Sequence, residues 1–138
     1  MNGGYRVIEF HLDTRSGVAP YLQLIHQVRH ALRLDVLREG DQLPTVKDVA
    51  SGLAINPNTV LKAYRELEYQ GLAAARPGRG TFITGTLSGA SVAAQEPLRR
   101  ELNRWLGKAR RSGMDEESIE ALFLTTFRST ASSEEDIA

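Results

Sequence analysis

A chain of 138 residues with 41% hydrophobic and 25% charged side chains has the make-up of one soluble globular domain, or of a small domain with a helical appendage, and leaves no room for a fused enzyme domain. The absence of cysteine excludes a disulfide framework, a thiolate metal site and thiol redox sensing. The net charge is zero and no run reads as a membrane span or secretory signal, so a cytoplasmic protein without membrane contact is expected.

Residues 1–18 alternate loosely through Tyr5, Val7, Ile8, Phe10 and Leu12, enough for a short strand or an extended arm. Pro20 marks a helix start. Tyr21, Leu24, Ile25, Val28, Ala31 and Leu32 form an amphipathic stripe, which Leu34, Val36 and Leu37 extend toward a stop at Gly40. Leu24, Ile25 and Val28 are expected to meet Val49, Leu53, Val60 and Leu67 in the core, and residues 41–43 can form a minor strand. His26 and His30 stand four apart on this first helix, a spacing at which two imidazoles can share a metal ion, but no third ligand lies nearby in sequence. A surface or interface pair is the expectation, with no metal and no cofactor.

The next helix has a capping pattern, Thr45 with Asp48 three residues on, and places Val49 and Leu53 on one face. A second start follows at Asn56-Pro57, where an N-cap precedes a proline whose missing N–H costs nothing. Val60, Ala63, Tyr64 and Leu67 give that helix a packed back, leaving Asn58, Thr59, Lys62, Arg65 and Glu66 in front, and Gly71 closes it. A polar, partly basic front on the second of two helices suits a DNA major groove, and an ordinary solvated face looks the same.

The continuation separates the two. Residues 72–76 and 81–84 flank Pro77-Gly-Arg-Gly80, a hairpin signal with a basic tip. No Asp or Glu occurs in 49–65 or in 69–95, the segments a DNA backbone would touch, although residues 1–85 hold only ten Lys/Arg against eight Asp/Glu.

Leu43-Pro-Thr45, Asn56-Pro-Asn-Thr-Val60, Tyr64-Arg-Glu-Leu-Glu68, Gly71-Leu72 and Gly78-Arg-Gly-Thr-Phe82 together resemble the winged helix-turn-helix of the GntR family of bacterial transcription regulators. The short chain is similar to its YtrA subfamily. The resemblance implies a mainly α fold with a small β-wing, and DNA contacts from Thr45 and Lys47 at the start of the first motif helix. It implies further contacts from Asn56, Asn58, Thr59, Lys62 and Arg65 on the recognition helix and from Arg76, Gly78 and Arg79 in the wing. Where many family members carry Arg, Lys47 keeps the charge and loses the bidentate fork. Asn58 suits a base edge, Thr59 a phosphate or thymine methyl, Lys62 a phosphate or guanine, and Arg79 the minor groove.

Beyond the wing, residues 86–95 are small and polar and read as a linker after a DNA-binding domain at 1–85. Pro97 is expected to interrupt any helix begun before it. Leu98, Leu102, Trp105 and Leu106 then form one apolar stripe, and Ile119, Leu122, Phe123 and Phe127 a second after Asp115 as cap. Two such short helices cannot bury both faces on each other, so residues 96–128 are expected to form a homodimerisation appendage, as the resemblance also implies. The basic residues between 99 and 111 are expected to be solvated or paired with Glu116, Glu117 and Glu120. The Ser/Thr-rich, acidic stretch 129–138 reads as a disordered tail.

No nucleophile beside a base, paired carboxylates or phosphate loop is recognisable, so an enzyme is not expected. The expectation is a sequence-specific transcription regulator, a repressor, bound as a homodimer to pseudo-palindromic double-stranded operator DNA. A small-molecule effector would have to bind between subunits or domains. The competing readings are a winged-helix module for protein contact, and a ligand- or metal-sensing dimer built on His26 and His30.

Overall fold

The computed structural model describes residues 8–87, 89 and 91–137, with side chains described through Ser132; the arm positions Tyr5 and Val7 lie outside them. The elements are α1 (Pro20–Arg33), α2 (Val46–Leu53), α3 (Pro57–Tyr69), β1 (Ala73–Arg76), β2 (Gly80–Ile83), α4 (Val92–Arg111) and α5 (Glu116–Ile137). They fall into two compact units divided between Val92 and Ala93. Among the described residues no helix is long and apolar enough to cross a membrane.

In the first unit α1, α2 and α3 close around one core in which Leu24, Val28, Leu32, Val60, Ala63 and Leu67 are fully buried. Each such leucine contributes about 1.5–3 kcal/mol relative to an exposed one. Val49 and Ile25 join the core as the sequence suggests, and Leu53 packs on its edge. The arm is pinned by two glutamines one turn apart on α1. Gln27 donates to the His11 carbonyl at 2.7 Å and accepts from its N–H at 3.1 Å, and Gln23 receives the Asp13 N–H at 2.8 Å. These side-chain amides substitute for a strand partner and let Ile8, Phe10 and Leu12 pack on the core.

The first helix ends earlier than its apolar stripe suggests. Asp35 is left-handed (φ 59°), Val36 N–H returns to the Ala31 carbonyl at 2.8 Å and Asp35 N–H to Leu32 at 3.2 Å, so a Schellman turn stops α1 at Arg33 and Gly40 lies in the following loop. The same turn ends α2, with Ala54 left-handed (φ 54°) and Ile55 N–H on the Ala50 carbonyl at 3.0 Å. An alanine there carries a Cβ penalty that glycine lacks. Ala54→Gly is accordingly expected to stabilise the first unit by about 0.5–1 kcal/mol, read as a rise in melting temperature; a lower melting temperature would show that the turn is not strained.

The strands pair antiparallel in the register Ala73↔Ile83, Ala74↔Phe82, Ala75↔Thr81 and Arg76↔Gly80. Gln42 bridges Phe82 on the outer side of β2, where Leu43 N–H reaches the Thr81 carbonyl at 2.9 Å and Ile83 N–H the Asp41 carbonyl at 2.8 Å. The minor strand read at 41–43 thus takes the form of a bridge.

Beyond β2, Leu87 still packs on the core, which carries this unit past residue 85. The expected linker and tail also differ from the structure. Val92 already begins α4, which runs through Pro97, and α5 continues to Ile137 instead of ending before Ser129. A proline disturbs the turn before it, and here that turn is the first of the helix. Asp115 caps α5, accepting the Ser118 N–H at 2.7 Å, and hydrogen bonding from the Ser118 side chain and then its backbone holds its carboxyl below the usual range. Arg110 pairs with Glu116 at 2.9 Å, as the sequence suggests for the basic stripe.

Candidate nucleic-acid interface

The caps that start α2 and α3 also set the geometry of their exposed face. Thr45 Oγ1 accepts the Asp48 N–H at 3.1 Å, and Asn56 Oδ1 accepts the Asn58 N–H at 2.8 Å. Both side chains are exposed and committed to capping on one side, so what they can offer a ligand is their remaining hydroxyl or amide donors. Between the two helices the connection is locked from below. Tyr64, buried on the back of α3, donates its hydroxyl to the Pro44 carbonyl at 2.6 Å, tying α3 to the residue before the α2 cap. Burial pushes its phenol well above the ordinary value, so it remains a donor.

On the front, Lys47, Asn58, Lys62 and Arg65 are exposed and Thr59 is half-buried. In the wing Arg76, Gly78 and Arg79 are exposed. Among the described residues none of these five cations forms an ion pair with a carboxylate. Their charge is therefore available to an outside anion.

The wing tip is a Pro77-Gly78 turn closed by Arg79 N–H on the Arg76 carbonyl at 2.9 Å, with Gly78 at φ 74° as a type II turn requires. Two contacts hold it. The Arg76 guanidinium lies 4.9 Å from the Phe82 ring centroid, and Gln42 Nε2 donates to the Arg79 carbonyl at 3.0 Å. A Cβ on Gly80 would stand 2.6 Å from that same Gln42 nitrogen, so glycine leaves the space the amide occupies. The sequence reading missed Gln42 as a wing support; its place in the minor strand beside the wing was the signal that could have found it.

Two more arrangements bear on the site. Lys62 Nζ sits 3.8 Å from the centroid of the Tyr21 ring, so a recognition-helix lysine leans on α1. Tyr21 reads from sequence as part of the apolar stripe, and in the fold it is half-buried. His26 and His30 are both exposed, and among the described residues no group of three or more His, Asp or Glu gathers to hold a metal ion.

In the second unit Leu98, Leu102, Leu122, Phe123 and Phe127 are exposed and Trp105 and Leu106 half-buried. The rings form a ladder, Trp105 to Phe123 at 6.4 Å between centroids and Phe123 to Phe127 at 6.1 Å. Ile119 departs from the expected face: at 4% exposure it is buried and not presented to a partner.

The sequence profile described as "Bacterial regulatory proteins, gntR family" matches residues 20–83, which span α1 through β2. The HTH-type transcriptional repressor YtrA of Bacillus subtilis (strain 168) is 41% identical over 73 residues, 53% of this chain and 56% of that protein, so the chain spans little more than half of this curated relative. Among solved structures, the transcriptional antiterminator from Listeria monocytogenes EGD-e superposes with a TM-score of 0.54 at 29% identity, covering 86% of this chain and 90% of that one. YtrA from Sulfolobus acidocaldarius, a GntR-family transcription factor, superposes with a TM-score of 0.51 at 27% identity, covering 70% and 96%. The family is one of transcription regulators and not of enzymes. With a capped two-helix motif, a glycine-turned wing and the family profile all falling on the same residues, residues 20–83 form a helix-turn-helix domain of the gntR type found in bacterial regulatory proteins, and the chain is similar to YtrA-type members of that family.

Proposed function

We propose that the chain is a sequence-specific DNA-binding regulator of the bacterial cytoplasm, a repressor that occupies a pseudo-palindromic operator as a homodimer. The observation that carries this reading is the set of exposed cations on α2, α3 and the wing, Lys47, Lys62, Arg65, Arg76 and Arg79, none in an ion pair among the described residues, with Asn58 beside them; all but Lys47 lie on the segments without a carboxylate, 49 to 65 and 69 to 95. In this arrangement the front of α3 enters the major groove, with Asn58 at a base edge and Thr45, Lys47, Thr59, Lys62 and Arg65 at the backbone. Asn56 remains a cap, and Gly78 lets the wing backbone approach closely. Arg79 reaches the neighbouring minor groove and Arg76 the phosphates beside it.

Dimerisation is assigned to the apolar face of exposed Leu98, Leu102, Leu122, Phe123 and Phe127 with half-buried Trp105 and Leu106, a surface that a second copy would cover. Two-fold pairing of the recognition helices then requires an inverted repeat. The name of the Bacillus relative, a repressor, supports repression.

Arg79→Ala tests the wing. Its removal is expected to weaken binding to all duplexes by a similar factor and to flatten the slope of log affinity against log salt by about one. An unchanged salt slope would take Arg79 out of the interface.

A further inference from the structure

One cation outside the helix-turn-helix and wing, Arg29 on α1, lines a cleft together with Lys62 of α3. This cleft of about 470 Å³ runs between α1 and α3, lined by Tyr21, Leu22, Ile25, His26, Arg29, Lys62, Glu66 and Gln70. Lys62 rests on the Tyr21 ring at 3.8 Å, and Arg29 Nη1 donates to the neutral Gln70 Oε1 at 2.7 Å. The one carboxylate present, Glu66, accepts from Gln70 Nε2 at 3.1 Å and pairs with neither cation. The glutamine is thus a spacer. It keeps Arg29 and Glu66 in one network without letting their charges neutralise each other.

We infer that this cleft is a phosphate seat, in which Tyr21, Arg29 and Lys62 hold a backbone phosphate of duplex DNA at the edge of the groove that α3 enters. The inference rests on the DNA-binding reading above and extends its surface from α3 onto α1. Three features favour a phosphate as occupant. A lysine and an arginine line one cleft against a single carboxylate that pairs with neither, an excess of positive charge that a phosphate can take up by binding both. The Tyr21 ring holds the Lys62 ammonium in place, lowering the entropy lost when the lysine is fixed on an anion, while its hydroxyl adds a donor. Lys62 also lies on the exposed front of the helix already assigned to DNA, so a strand tracking that face reaches the cleft without a break. Tyr21 acts here as a positioning residue for Lys62 as well as a contact.

The test uses the full chain and a mixed-sequence duplex titrated at two salt concentrations, with melting temperatures to confirm folding. Arg29→Gln is expected to weaken binding about tenfold and to lower the salt slope by about one. Glu66→Gln, which keeps an acceptor for Gln70 and removes the only negative charge in the cleft, is expected to tighten binding severalfold. Tyr21→Leu should weaken binding severalfold and by much less when Lys62 is already alanine, whereas Tyr21→Phe, which keeps the ring, should retain most of the affinity. A merely structural role for these residues would move the melting temperature and leave the salt slope unchanged.

Wild-type chain that binds with a steep salt slope, together with an Arg29→Gln variant of unchanged slope, would overturn the phosphate seat and leave the DNA-binding reading intact. Wild-type chain with no salt-dependent binding would overturn both. Inorganic phosphate, followed through the chemical shifts of Tyr21, His26 and Lys62, is expected to bind only weakly because it lacks the flanking contacts of a strand. Tight, saturable binding of it would assign the cleft to a free anion and overturn the DNA-backbone assignment.

Discussion

Tyr64→Ala is expected to be the most damaging single substitution in the first unit, costing about 3–5 kcal/mol, a large share of the 5–15 kcal/mol that holds a typical domain together. The side chain is 2% exposed and is one of the largest in the core, so its removal leaves a cavity. It also orphans the Pro44 carbonyl, which accepts the phenol at 2.6 Å. Denaturant unfolding of the wild type and variant measures the loss, and a cost below about 1 kcal/mol would contradict the packing described.

Tyr64→Phe separates the two contributions. It keeps the ring and removes only the hydroxyl, so about 1 kcal/mol is expected. Because burial raises the phenol above its ordinary 10.0, the folded state keeps the proton to higher pH than the unfolded chain does. Stability from this group is therefore complete below pH 10 and falls as pH rises beyond it, and the phenylalanine variant should lose that part of the alkaline decline.

The second large effect is expected at Trp105. If the exposed ladder of the second unit is the subunit contact, truncating its largest side chain to alanine removes an aromatic anchor of the kind that dominates interfaces, about 2–4 kcal/mol. That corresponds to a dimer dissociation constant raised about thirty- to a thousandfold, visible as a shift toward monomer in sedimentation at micromolar concentration. Trp105 meets Phe123 at 6.4 Å in a tilted arrangement, and Phe123 stacks on Phe127, so the substitution also loosens the rest of the ladder. A variant as fully dimeric as the wild type would remove this face from the interface. Operator binding should fall with dimerisation, since a lone recognition helix reads half a site.

Much of the first unit is legible in the sequence because its signals are local. Thr45 with Asp48, Asn56 with Pro57, and the Pro77-Gly78 turn each state a boundary within four residues, and the structure places a helix start or a turn at each. The core stripes of α1 and α3 follow from spacing alone.

What the sequence hides is of two kinds. Non-glycine residues in left-handed turns, Asp35 and Ala54, end helices without the usual mark, so α1 reads too long. Contacts between distant residues have no local signal at all. The glutamines that pin the arm are ordinary polar residues until the chain is folded, and for Gln42, which bonds the wing tip 37 residues away at Arg79, only its place in the minor strand points to the contact. The same holds for Tyr21, which joins the apolar stripe by its spacing and turns its ring to Lys62 by its position beside α3. At the other end, the composition of residues 129–138 suggests disorder, whereas the backbone of α5 continues to Ile137, showing that serine- and acid-rich sequence does not by itself end a helix once one is running.

The central claim, that this surface reads DNA as a symmetric pair, is tested most directly by selecting bound sequences from randomised duplex DNA with the purified chain and repeating the binding of the selected duplex at two salt concentrations. The account predicts an enriched inverted repeat, with half-sites separated by about one helical turn or a multiple of it, and a steep loss of affinity with salt. A pool that stays random, with binding indifferent to salt, would contradict it.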